Sequence, residues 1–286
     1  TWSNDDLPEL GGDTPLEVIL SETRQAGYAG TEMGGKFPTD PKKLRPLLDK
    51  YGLALVSGWY NADQVSRSAE DAIAAVENHL NLLAAMGCKV MVFAEGYGTV
   101  QSQRDTPVSR RPRPDPDRWA EYGERLTRLA EHMLKRGVRM AFHYHMGTVV
   151  ETAEEVDRLM ENTGDAVGLL LDTGHITYAG GDPLALIRSH GSRICHVHCK
   201  DVRLERLEQA KARDSSFMNA VVDGVFTVPG DGDLDFNAIL KALKETGYKG
   251  DWLVVEAEQD PAKAHPLTYA TKGYQNLKQI VDRVGL

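Results

Sequence analysis

The fold predicted by this sequence is α/β, a (β/α)8 TIM barrel over residues 1–286 as a single domain. Three observations predict it. Capped helices alternate with short apolar runs through seven helix-to-strand steps and a closing helix, the pattern of right-handed βαβ units. Runs such as Val90-Met91-Val92-Phe93 and Gly168-Leu169-Leu170-Leu171 are continuously apolar, as strands of a parallel sheet covered on both faces must be. Residues able to bind metal or move protons stand at the ends of several runs rather than at one. A doubly wound open sheet is the alternative, but no GxGxxG turn follows the first strand.

Each element has its own signal. Thr14-Pro15 opens a helix that stops near Gly27, ahead of an extended Tyr28 to Glu32. Asp40-Pro41 opens the next, which stops at Gly52 before Leu53-Ala54-Leu55-Val56. Ser68-Ala69-Glu70-Asp71 starts a long helix ending at Gly87, before Val90 to Phe93. Pro116 opens a helix ending at Gly137, before a run from Val138 to His145. The capping box Thr152-Ala153-Glu154-Glu155 starts one that ends at Gly164, before Val167 to Asp172. Asp182-Pro183 and Asp235-Phe236 open two more, before Ile194 to His198 and Trp252 to Glu256, and a last helix covers about Pro266 to Val284. An oxygen side chain or Pro suits a helix start, and Gly accepts the left-handed conformation at its end. Only Thr1-Trp2 stands where the first of eight strands belongs, so a strand truncated upstream is expected. A long loop from Gly96 to Asp117 carries Arg104, Arg110, Arg111 and Arg113, and is expected on the active face as a lid or a surface contact. A second loop, Leu204 to Thr227, holds a charged helical piece.

The net charge of -9 excludes nucleic acid and anionic membranes as expected partners, because both repel an acidic surface. No apolar run approaches the ~20 residues that span a bilayer, and no signal peptide is visible. Cys88, Cys195 and Cys199 form no CxxC pair, which points to reduced thiols and a cytoplasmic location. A homo-oligomer is compatible with the helical exterior, although no interface signature is present.

Five of the nine histidines fall in three runs: Phe142-His143-Tyr144-His145, Leu171-Asp172-Thr173-Gly174-His175, and His196-Val197-His198-Cys199-Lys200-Asp201. A fourth run ends in Glu256-Ala257-Glu258. In a barrel, strand ends point into one mouth, so Asp172, His198 and Glu256 converge there. Carboxylates with imidazole suit a divalent ion of intermediate hardness: Mn²⁺, Co²⁺, Zn²⁺ or Fe²⁺. Side chains two apart share a face, so His143 goes with His145, His196 with His198, and Glu256 with Glu258. Asp172 before Thr173-Gly174 also reads as a helix N-cap, and His196 reads as packing against the barrel wall.

These runs, with Val228-Pro229-Gly230-Asp231-Gly232, resemble the xylose-isomerase-like, apurinic-endonuclease-type TIM-barrel superfamily over nearly the whole chain. Within it, Trp2-Ser3-Asn4-Asp5-Asp6, Thr31-Glu32-Met33-Gly34-Gly35 and His143-Tyr144-His145-Met146-Gly147-Thr148 resemble the inosose dehydratase branch. The resemblance implies a hydro-lyase of inositol catabolism that takes a cyclic keto-polyol, uses Mn²⁺ or Co²⁺, and forms a trihydroxycyclohexane-1,2-dione from 2-keto-myo-inositol. It carries over Asp172, His198 and Glu256 as metal ligands. Where the superfamily usually has Glu-x-His after the fifth strand, this chain has His143-Tyr144-His145, with His143 expected as the fourth ligand and His145 the competing choice. Losing one of two opposed glutamates argues against symmetrical two-base epimerisation and for elimination. A ketose epimerase or isomerase of the same superfamily is the rival.

For elimination, His145, His175 and Glu256 are the expected proton carriers. Lys200 and Asp201 are expected to hold substrate hydroxyls or tune the ligands. Glu32, Trp59, Glu95 and Glu258 are expected to line the polyol pocket.

Overall fold

A computed structural model describes residues 1–286. The helices and strands alternate from the outset: α1 (Leu16–Ala26), β1 (Gly30–Met33), α2 (Pro41–Tyr51), β2 (Ala54–Ala62), α3 (Ala69–Met86) and β3 (Val90–Glu95). Next come α4 (Trp119–Lys135), β4 (Arg139–Phe142), α5 (Ala153–Glu161), β5 (Val167–Asp172), α6 (Thr173–Tyr178), α7 (Pro183–His190) and β6 (Ile194–Cys199). The chain then forms β7 (Asp201–Val202), α8 (Leu204–Ala212), α9 (Phe217–Val222), β8 (Phe226–Thr227), α10 (Phe236–Glu245), β9 (Val254–Val255) and α11 (Pro266–Val284).

The strands β1-β2-β3-β4-β5-β6-β9 form one parallel sheet in that order, which curls into a nearly closed barrel inside the helices. Thr1-Trp2 forms no strand. The outer edges of β1 and β9 flank a cavity of about 610 Å³, lined by residues that include Trp2, Tyr28, Trp252 and Tyr274. Caps at the expected positions end or start the helices: Asp40, Ser68, Asp182 and Asp235 each accept a backbone N–H at a helix start. Each such cap contributes roughly 1 kcal/mol to its helix.

Strand parity decides what each residue meets. Val90, Val92, Ala141 and Leu170 point inward and form the apolar floor of the barrel, with Trp59 packed on them. Met91, Phe93, Met140, Phe142, Leu169 and Leu171 point outward into the main core beneath the helices. The register places Asp172 opposite His198, and His198 opposite Val254, so the chemistry-bearing ends of β5, β6 and β9 lie side by side.

Three differences from expectation bear on the site. The run from Val138 to His145 leaves the ladder after Phe142, and His145 N pairs instead with Val150 O. Asp172 starts the short α6 as its N-cap, accepting from Gly174 N and His175 N, an extra helix between the two βα steps. The second loop folds into α8, α9 and the antiparallel hairpin of β7 and β8.

Candidate active site

The ends of β4, β5, β6 and β9 bring His143, Asp172, His198 and Glu256 together, each offering an atom within 4.8 Å of the others. Asp172 divides its oxygens: Oδ1 caps α6, while Oδ2 lies 3.2 Å from His143 Nε2 and 3.6 Å from His198 Nδ1. The helix-cap reading of Asp172 holds on Oδ1, and Oδ2 is left facing the two imidazoles. Tyr144 locks its backbone, since the hydroxyl donates to Asp172 O and accepts from Asp172 N, both at 2.8 Å.

His198 Nδ1 lies 3.0 Å from Glu256 Oε2. Both of these atoms are buried and neither makes a well-directed hydrogen bond, although the Lys200 ammonium lies 2.9 Å from Glu256 Oε2. A buried carboxylate, a half-buried one and two buried imidazoles converging within 4.8 Å are the donor set of a divalent cation, so the residues present fit such an ion. Burial acts to lower the His198 imidazole, but Glu32 and Glu256 outweigh it and hold it well above its usual range, a measure of how strongly the cluster demands positive charge. Burial lowers His143 to about 4. A neutral imidazole is the form that binds metal.

A second group stands beside the first: His145, His175 and Glu258, again within 4.8 Å of one another. Here the protein supplies the cation itself. Lys200, fully buried, places Nζ 2.7 Å from Glu258, 2.9 Å from His175 Nε2, 2.9 Å from Glu256 and 3.5 Å from Asp172. Burial acts against its charge, yet Asp172, Glu256 and Glu258 together raise its pKa. His145 is pushed down to about 3, by burial first and then by His175. Its Nδ1 lies 2.8 Å from Met146 O, so that nitrogen carries the proton of the neutral ring and leaves Nε2 as a base. Trp59 sits edge-on to His143 and His145 at 5.3 and 5.6 Å.

Three expected pocket residues are placed elsewhere. Glu32 lies beneath the ligand ring. It accepts from Ser57 Oγ at 2.5 Å, is bonded to His196 Nε2 at 2.8 Å, and lies 3.0 Å from His198 Nε2. It thus holds His198 from behind, and His196 helps to fix its carboxylate. Glu95 has the parity of Met91 and Phe93 and points out of the barrel, where it accepts from Gln64 N, Tyr97 N and Tyr122 OH. The Asp201 carboxylate accepts from Val202, Gly230, Gly232 and Leu234 N–H groups and so holds the loop after β8.

The mouth is roofed by residues that sequence reasoning did not single out. Leu7, Leu10, Val108, Met146, Phe217 and Phe226 form an apolar cluster over it. The long loop is pinned by buried Arg111, which pairs with Glu151 at 3.1 Å and Glu155 at 2.7 Å and donates to Thr148 O and Val149 O. No sequence signal distinguished Arg111 from its three neighbouring arginines.

The xylose isomerase-like TIM barrel family matches residues 20–280, and the chain belongs to that family. Among its relatives, it is 54% identical over its whole length, and over 87% of theirs, to the rhizopine catabolism protein MocC of Rhizobium meliloti. It is 43% identical to the inosose dehydratase of Geobacillus thermodenitrificans, over 97% of this chain and 94% of that one. A sugar phosphate isomerase/epimerase from Parabacteroides distasonis shares the fold, with a TM-score of 0.67 and 18% identity over 96% of this chain and 91% of that one.

Proposed function

We propose that the protein is an inosose dehydratase-like hydro-lyase that removes water from a keto-inositol, converting 2-keto-myo-inositol to a trihydroxycyclohexane-1,2-dione. His143, Asp172, His198 and Glu256 would hold one divalent ion, Mn²⁺ or Co²⁺ by resemblance, with Zn²⁺ and Fe²⁺ compatible with the donors. When bound, the ion supplies Lewis acidity at the substrate ketone and so acidifies the neighbouring C–H.

The observation that carries the reading is the asymmetry of the groups around that ring. A neutral imidazole, His145, has its Nδ1 engaged by Met146 O and its Nε2 left to accept a proton, while a buried ammonium, Lys200, stands 2.9 Å from the neighbouring His175. Epimerisation asks for matched bases on opposite faces of one carbon. Elimination asks for one base and a stabilised charge. His145 takes the alpha proton, and Lys200 offers a fixed positive charge where negative charge develops. His175 and Glu258 hold Lys200 in place, and Trp59 walls the polyol pocket beside His145. The names of the relatives support the same reaction class.

Incubating metal-loaded protein with inosose and with a ketohexose tests this. Inosose should lose the mass of one water and give the ultraviolet absorbance of a dione. Turnover of the ketohexose with mass retained, and no reaction of inosose, would establish the epimerase reading instead.

A further inference from the structure

The N-terminal segment contributes two residues to the roof of the mouth. Leu7 and Leu10 pack with Met146, Phe217 and Phe226 in the roof. Phe217 and Phe226 stand edge-on to His145 and His175, at 5.0 and 5.3 Å respectively. This packing brings Asp6, next to Leu7, to the roof of the site, near enough to the second cluster for the charge of Glu258 to act on it. Asn4 Oδ1 accepts from Asp6 N at 2.8 Å and Leu7 N at 3.0 Å, a side-chain turn that fixes the backbone there.

Asp6 is partnered unlike any carboxylate below it. Its Oδ2 accepts from the neutral amide of Gln101 at 3.0 Å, and it takes part in no ion pair. Gln101 is buried, and its backbone presses on Gly147, where φ is +83° and a Cβ would come within 2.9 Å of Gln101 N. Only glycine fits there, so the clamp is rigid. Within the two clusters, Asp172 faces His143 and Lys200, and Glu256 and Glu258 face Lys200. The charges that act most on Asp6 are acidic, Glu258 and Glu256 from the chain after β9 and Asp5 from its own segment, while Lys200 and the Thr1 ammonium stand among those same carboxylates. Burial first, then Glu258, pushes its carboxyl up to about 6, within reach of the protonated form.

We propose that Asp6 is the proton donor to the departing hydroxyl, an assignment that rests on the hydro-lyase reading above. The step balances without another reactant. His145 Nε2 takes the alpha proton, and the C–H electron pair becomes the new C=C bond. The bond from the beta carbon to oxygen breaks, its pair leaves with the oxygen, and the Asp6 proton completes a water molecule. Solvent returns a proton to Asp6 and receives one from His145, and the enol product tautomerises to the dione.

The test separates the two halves of the reaction in the metal-loaded full chain. Exchange of the alpha C–H into D₂O, followed by NMR, reads the base step, and mass with ultraviolet absorbance reads water loss. Asp6→Asn should keep exchange within a few-fold of the wild type and lose water release by roughly 100-fold or more, the usual contribution of a general acid. Asp6→Glu should recover at least part of that loss. The wild-type rate of water release should fall as pH rises above about 6, and the Asn variant should lack that limb. A beta-fluoro substrate, whose leaving group departs without a proton, should show a much smaller Asn deficit. Water release at the wild-type rate in Asp6→Asn, or loss of exchange and release in equal measure, overturns the assignment. A wild-type protein that releases no water from any keto-inositol overturns the hydro-lyase reading and this assignment together.

Discussion

His143, Asp172, His198 and Glu256 form one cluster at the barrel mouth, and His145, His175, Glu258 and Lys200 form its neighbour. Each contains two buried imidazoles and at least one carboxylate. In the first, His198 Nδ1 makes no well-directed hydrogen bond, and the Lys200 ammonium reaches only its edge, 2.9 Å from Glu256 Oε2. In the second, the lysine ammonium is already seated 2.7 Å from Glu258 and 2.9 Å from His175. Ligand type alone therefore does not mark a metal site, because imidazole and carboxylate serve both groups. What separates them is whether the chain brings its own cation. A buried anion needs a counter-charge because its desolvation is so unfavourable. Lys200 serves the second cluster at its centre and only the edge of the first, 2.9 Å from Glu256 and 3.5 Å from Asp172, so the proposed ion would supply the rest of the first cluster's charge.

The comparison breaks most directly at its first member. Asp172→Ala or His198→Ala should abolish stoichiometric metal binding and reduce turnover by roughly 1000-fold or more, since several kcal/mol of charge stabilisation is lost. Full activity of either variant after chelation and dialysis would sink the metal-centred site. Lys200→Ala probes the second member. Wild-type protein should bind one divalent ion per chain. The variant should bind a second between His145, His175 and Glu258, and lose about 100-fold in turnover. Metal analysis that finds one ion in both proteins would show that the lysine does not substitute for an ion. A smaller effect is expected from Glu32→Gln, which alters the group 3.0 Å behind His198 and none of the ligands. Metal affinity by chelator competition should weaken about 10-fold or more, as when other partners behind a ligand are removed. Unchanged affinity would reduce Glu32 to scaffold.

How much of this was legible in the sequence follows from the kind of signal each residue carried. The barrel was readable because caps and continuous apolar runs are local, and the structure keeps them at Asp40, Ser68, Thr152, Asp182 and Asp235. Asp172, His198 and Glu256 were readable because strand ends of a barrel converge whatever the details of packing. Glu95 was misplaced although the signal existed: counting from Val90 and Val92, it falls on the outer face with Met91 and Phe93. The roles of Asp201 and Arg111 depend on which loop packs on which. Asp201 meets Gly230, Gly232 and Leu234, and Arg111 meets Glu151 and Glu155, across separations that carry no periodicity. Asp6 stood in the Trp2 to Asp6 motif, but its role was hidden for the same reason, since only the fold brings it to Gln101.

Glu95 gives the smallest expected effect on turnover and a distinct one on stability. Burial raises its carboxyl from 4.5 to about 7, against the hydrogen bonds from Tyr97, Tyr122 and Gln64. The folded protein thus retains a proton that the unfolded chain releases between those two values. Stability from this group is complete below pH 4.5, falls as pH rises, and is lost above about 7. The loss amounts to roughly 3 kcal/mol for a shift of this size. Glu95→Gln has no proton to release, so its melting temperature should decline less between pH 5 and 7 than that of the wild type. Its turnover of a keto-inositol should stay within about twofold, because the side chain faces the helices and not the mouth. A tenfold fall in kcat/KM with an unaltered pH gradient of stability would put Glu95 in contact with substrate, and the inward and outward faces of β3 would have to be exchanged.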